Sequence, residues 1–269
     1  MKKLFFLTVF VLALAGIVLA SSGGGVKNKR PLPHEYGSVI INNYSEKAGF
    51  APVVFDHWLH RSQFTCRLCH VDIAFGMKAG ASGIKAADNM KGFYCGTCHS
   101  GKMTVNGRKV FASCKLQFSK DEVWRCDRCH SLGNSNVKPE HDFASFAEKL
   151  PKARLGNGID WEKAEESGLI KPIDYLESVS IKRKELAVQK DFNLDSKVPG
   201  MPAIIFSHKK HTVWNGCELC HPEIFVGVKK GATKYSMIEI FDGKYCGVCH
   251  TTVAFPLLDC QRCHTEPVQ

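Results

Sequence analysis

Past Leu19 the sequence lacks any apolar run long enough to cross a bilayer, so the chain beyond that point is expected to be soluble. It also lacks a cysteine directly after its apolar N-terminal stretch, which argues against a lipid-anchored lipoprotein. Acidic residues are in deficit: 26 Asp and Glu stand against 36 Lys and Arg, a formal net charge of +10. Such a surplus can mark a nucleic-acid binder, but the N-terminus points to export. Lys2 and Lys3 precede the apolar run Leu4 to Leu19, and Val18-Leu19-Ala20 resembles a small-residue cleavage site. Residues 1–20 are therefore expected to be a signal peptide, and the mature protein periplasmic. Retention of that segment would instead tether the chain to the membrane.

Cysteine and histidine are abundant, at 13 and 12 residues. In an exported chain many cysteines usually mean a disulfide framework, but the spacing here argues otherwise. The string C-x-x-C-H occurs six times: Cys66–Cys69–His70, Cys95–Cys98–His99, Cys126–Cys129–His130, Cys217–Cys220–His221, Cys246–Cys249–His250 and Cys260–Cys263–His264. Two thiols three positions apart can each add to one vinyl group of a haem, and the adjacent histidine is then held beneath the porphyrin to ligate iron. Zinc would need groupings of four ligands, and neither zinc nor a thioredoxin-like pair explains a histidine after every copy. The expected cofactor is six covalently attached haems c. No cysteine pair is followed by lysine, the variant seen in some multihaem reductases. Cys114 stands outside the pattern and reads as a free or buried thiol.

The chain also repeats itself. At an offset of 151, the stretch Phe55–His70 maps onto Phe206–His221, and the register holds to Cys95/Cys246 and His99/His250. The third motif breaks it: Cys126 lies 31 positions after Cys95, but Cys260 lies 14 after Cys246. Repeat one thus carries a 17-residue insertion that contains Cys114. Each repeat opens with F-x-H-x-x-H, supplying His57 and His60, then His208 and His211. On a helix, histidines three apart share a face yet are rotated from each other, so their imidazoles could reach two different haems. For the middle haem, Met237 lies nine residues before Cys246, but the equivalent position in repeat one is Ala86. Met90 is the substitute there, with Met77, His34 and His141 as alternatives.

The F-x-H-x-x-H opening followed by three C-x-x-C-H motifs resembles the cytochrome c7 group of small triheme cytochromes, and longer proteins that string such units together. The resemblance covers 51–130 and 203–264. It implies that His57 and His208 ligate the first haem of each repeat, and His60 and His211 the third. It further implies methionine at the middle haem, since neither repeat has a histidine just before its second motif.

The expected architecture is a haem-cored fold, mainly irregular and α-helical, with short helices after the motifs and at most one two-stranded hairpin. Its parts are an extended lead-in at 21–50, a triheme unit at 51–131, a connector at 132–202 and a second triheme unit at 203–269. The connector should hold one or two short helices, one near Asp160–Ser167, around apolar residues such as Ile159, Trp161 and Leu169. Six haems bring up to twelve propionates, so the basic surplus reads mainly as counter-charge for the cofactors. The expected role is electron transfer rather than catalysis. The expected partners are other cytochromes and a membrane quinol oxidase or an outer-membrane conduit, with no nucleic acid. An enzyme would need a haem with an open distal side, and the middle haem of repeat one is where the sequence would allow it.

Overall fold

Each repeat begins with a strand rich in β-branched and aromatic residues that runs directly into the histidine-bearing helix. In the computed structural model, which describes residues 30–114, 124–134, 137–183, 190–196, 198–227 and 229–266, β2 (Val53–Asp56) leads into α1 (His57–Arg61). At the same offset of 151, β6 (Ile204–Phe206) leads into α7 (His208–Asn215). Each strand has one antiparallel partner. β1 (Ser38–Ile41) pairs with β2, Val39 opposite Phe55, and β5 (Phe192–Leu194) pairs with β6, Phe192 opposite Phe206. A third ladder, β3 (Thr104–Val105) with β4 (Arg108–Lys109), belongs to repeat one alone. The described residues thus hold three two-stranded sheets, where one hairpin was expected. The lead-in is also folded from Leu32 onward, because β1 satisfies the backbone edge of β2. The signal segment lies outside the described residues. Among those residues no helix is long and apolar enough to cross a membrane.

Helical turns fall on the C-x-x-C-H motifs rather than after them. They form α3 (Cys95–Cys98), α4 (Trp124–Asp127), α9 (Gly247–His250), a π-turn at Leu68–Asp72 and a 3-10 turn at Cys260–Arg262. Before each middle motif stands a short helix, α2 (Ala86–Met90) or α8 (Met237–Phe241). The middle motifs alone read C-G-x-C-H. A Cβ on Gly96 would lie 1.9 Å from the Asn89 carbonyl oxygen, and one on Gly247 would lie 1.9 Å from that of Ile240. Only glycine permits this approach of motif to helix.

The connector builds the apolar core. α5 (Pro139–Glu148) and α6 (Trp161–Glu166) bury Phe143, Ala147, Leu150, Ile159, Trp161, Ala164 and Ile170 around Trp58 of repeat one, and Trp214 of repeat two packs against the cluster. Asp160 caps α6 by accepting the Lys163 N–H at 3.2 Å, as the Asp160–Ser167 reading predicts. Leu169 is 54% exposed, while Ile170 beside it is buried. The connector also stitches the repeats together. The Thr65 N–H donates to the Ile173 carbonyl at 3.1 Å. Arg183 donates to Asp72 of repeat one at 2.8 Å and to Glu218 of repeat two at 2.7 Å. From Leu32 onward the repeats and connector form one compact unit.

Candidate functional site

Imidazoles of the motifs and of the two opening helices face each other in pairs. The His57 and His70 rings are 6.4 Å apart, centroid to centroid, and 6° from parallel. His60 and His99 are 6.4 Å apart, and His211 and His250 are 6.2 Å apart. Subtracting an imidazole radius of about 1.1 Å on each side leaves roughly 4 Å between facing ring edges, twice a metal–imidazole bond of about 2.0–2.1 Å. His208 and His221 line one cleft with Cys217, Cys220, Phe206 and Phe225.

The rings are also fixed in orientation. Nδ1 of His70, His99, His130, His221, His250 and His264 lies 2.6–3.2 Å from a backbone carbonyl oxygen, and so do those of His57, His60 and His211. A carbonyl can only accept, so Nδ1 carries the proton and Nε2 keeps its lone pair for a metal. For His57 the acceptor is Gly37, held at φ +85° in a turn that suits glycine. The opening phenylalanine of each F-x-H-x-x-H packs on both of its histidines: Phe55 at 4.8 and 4.4 Å, Phe206 at 5.7 and 4.5 Å. Burial holds His57, His99 and His250 well below the ordinary imidazole pKa, at about 4, so the rings are neutral at physiological pH.

The third motif of each repeat docks on the strand that starts it. His130 Nδ1 donates to the Ala51 carbonyl and His264 Nδ1 to that of Pro202, both at 2.6 Å, and Ala51 and Pro202 are equivalent by the offset of 151. The inserted residues now fall into place. The Phe111 ring packs at a tilt against His99 at 4.5 Å beneath Arg128, as Phe255 packs against His250 at 4.3 Å beneath Arg262. Phe111 follows His99 by twelve positions and Phe255 follows His250 by five. Seven inserted residues, carrying the β3–β4 hairpin, therefore precede the phenylalanine and ten follow it.

All thirteen cysteines are unpaired. Burial, reinforced by the neighbouring Cys98, pushes the Cys69 thiol up to about 12; Cys95 and Cys249 reach about 12, and Cys129 and Cys246 about 11, from the same leading cause. Thiols held neutral are poor partners for disulfide exchange. Among the described residues no three or more His, Cys, Asp or Glu side chains converge as a metal-binding group.

The profile of the family "Cytochrome c7 and related cytochrome c" matches residues 53–131 and 204–265, half of the chain. The chain belongs to the cytochrome c7 family. Solved structures similar to it include a c7-type three-heme cytochrome domain at 35% identity, covering 30% of this chain and 99% of that one, with a TM-score of 0.27. A C-terminal hexaheme fragment of a dodecaheme cytochrome c is 24% identical over 86% of this chain and 98% of its own, with a TM-score of 0.26. The dodecaheme cytochrome c itself is 21% identical over 85% of this chain and 74% of its own, with a TM-score of 0.27. No curated protein matches the chain.

As a cytochrome c7 relative the chain binds haem c covalently, and the residues present fit that group. The structure changes one pairing that the resemblance implies. His60 faces His99 and His211 faces His250, so the second histidine of each opening helix meets the second motif rather than the third. The rings opposite the middle motifs are imidazoles, not the thioethers of Met90 and Met237 expected there. Met237 begins α8, half-buried, whereas Met90 ends α2 and is 41% exposed, so the two are not equivalent in place. Met77 is half-buried and His34 lies at the surface turn before β1; neither faces a motif histidine ring among the described contacts. The His141 side chain lies outside the described residues. Cys114 lies against α2: Asn89 Nδ2 is 3.8 Å from its sulfur. Sequence reasoning missed the carbonyl tethers of the histidines, for which no local motif exists.

Proposed function

We propose that the chain is a periplasmic hexahaem electron carrier passing electrons between redox partners in anaerobic or metal respiration. The observation that carries it is the opposition of imidazoles at 6.2–6.4 Å at three motif histidines, with a fourth pair lining one cleft. Imidazoles so opposed would hold a haem iron from both faces, which would suit electron transfer and disfavour substrate binding. Haem iron supplies a reversible one-electron couple whose potential follows from ligand identity, burial and nearby charge. The chain's own part is to hold neutral Nε2 atoms in line, exclude water with Phe55, Phe206, Phe111 and Phe255, and space the sites closely.

The ligand pairs we assign are His57 with His70, His60 with His99, His208 with His221, and His211 with His250. By elimination Met237 is assigned to the third haem of repeat two. It stands on the helix packed against the middle motif of that repeat. Partners are other cytochromes and a membrane quinol oxidase or outer-membrane conduit.

The test is the intact mass and spectrum of protein matured in a host that assembles c-type cytochromes. Residues 21–269 plus six haems, all low-spin, with no carbon monoxide binding, is the expected result. A missing haem removes the hexahaem assignment, and a high-spin haem that binds carbon monoxide favours the reductase reading instead.

A further inference from the structure

Where the two repeats meet, one cation is enclosed between two candidate haem sites. Arg61 ends α1, directly after His60. Its guanidinium lies over the Trp161 ring at 4.5 Å and the Trp214 ring at 5.3 Å, and Nη1 donates to the Val253 carbonyl at 2.9 Å. Trp161 belongs to the connector, Trp214 and Val253 to repeat two, so the side chain is gripped from three directions. Glu165, which accepts the Trp214 indole N–H, is the carboxylate of this cluster. The Tyr36 hydroxyl closes it by donating to the Ala254 carbonyl at 2.6 Å.

Arg61 is tied to both sides of the junction. It shares α1 with His57, whose ring faces His70 of the first motif of repeat one. Its acceptor residue, Val253, donates its N–H to the Cys249 carbonyl at 2.9 Å, in the second motif of repeat two.

We propose that Arg61 is a positioning residue that sets the redox balance between the two repeats, its guanidinium fixed by Trp161, Trp214 and the Val253 carbonyl as a positive charge beside the first site of repeat one and the second site of repeat two. The inference rests on the electron-carrier reading. Crossing the junction, one electron leaves a ferrous haem on one side and reduces a ferric haem on the other; no bond forms or breaks and no proton moves. Reduction removes one positive charge from a site, so a fixed cation nearby favours the reduced state. Guanidinium serves here because it stays charged when enclosed and stacks on indole faces.

The experiment is a spectroelectrochemical titration of the full, haem-loaded chain, with individual haems resolved by NMR, comparing wild type with Arg61→Gln, Arg61→Lys and Glu165→Gln. Arg61→Gln should weaken reduction of the two haems held by His70 and His250 by about tenfold in equilibrium constant, 59 mV for a one-electron couple, and leave the other four nearly unchanged. Arg61→Lys should restore most of the loss. Glu165→Gln keeps the acceptor for Trp214 and should shift the same two haems in the opposite direction. Unchanged potentials, or an equal shift of all six haems, would overturn the proposal. If Arg61→Gln does not fold, Glu165→Gln decides alone, and no shift there overturns it equally. Wild-type mass and spin state are read in the same samples, so a failure of the six-haem reading shows separately.

Discussion

Replacing Gly247 by alanine tests the geometry that brings His250 to His211. The added Cβ would sit 1.9 Å from the Ile240 carbonyl oxygen and 3.0 Å from its carbon. An ordinary contact begins near 3.4 Å, so α8 and α9 must part by roughly 1.5 Å. The obstruction is backbone, which cannot swing aside as a side chain would. Overpacking of this kind costs about 1–3 kcal/mol, and the close backbone approach places Gly247→Ala at the upper end. For a chain of this size that corresponds to a loss of roughly 6–12 °C in Tm. The displacement also has a spectroscopic consequence. α9 carries Cys249 and His250, and widening the 6.2 Å separation from His211 by 1.5 Å stretches a distance that two axial bonds must span. One haem should therefore turn partly high-spin. The assay is thermal unfolding followed by circular dichroism, with the visible spectrum recorded on the same protein. Gly243→Ala is the control: its φ is +82° but nothing lies within 4 Å of the added carbon, so only about 1 kcal/mol of backbone strain and no spin change are expected. A Gly247→Ala protein with wild-type Tm and six low-spin haems would refute the reasoning.

Other expectations follow from the same contacts. His60→Ala should make the haem bound at Cys95 and Cys98 high-spin and leave the one at Cys126 and Cys129 unchanged; NMR assignment of the altered haem checks the pairing, and a change at the third haem would restore the family-implied one. Trp161→Ala removes a buried ring from the core that the connector builds, and should cost about 3–5 kcal/mol, read as a lower denaturant midpoint. Arg183→Gln strips the partner from Asp72, whose side chain is 0% exposed, and should destabilise by about 3–5 kcal/mol in the same assay.

Much of this protein could be read before any coordinates. C-x-x-C-H is a local device: the two thiols and the histidine must meet one porphyrin within five residues, so the motif survives any tertiary context. The 151-residue offset and the helix at Asp160–Ser167 are legible for the same reason, since repetition and N-capping are properties of adjacent residues. The partner of His60 is of another kind. It depends on how α1 is turned between two slots, and that turn comes from Trp58 docking on connector helices some 85 to 110 positions away. The folded lead-in was equally hidden, because β1 has no meaning until β2 offers it an edge. So was the division of the insertion around Phe111, which shows only once Arg128 and His99 hold that ring as Arg262 and His250 hold Phe255. The sequence by itself determined which cofactor is bound and which thiols are spaced to hold it, because covalent attachment is short-range chemistry. Only the tertiary structure decided which imidazole faces which motif and where Arg61 lies, because those depend on long-range packing of the connector against both repeats.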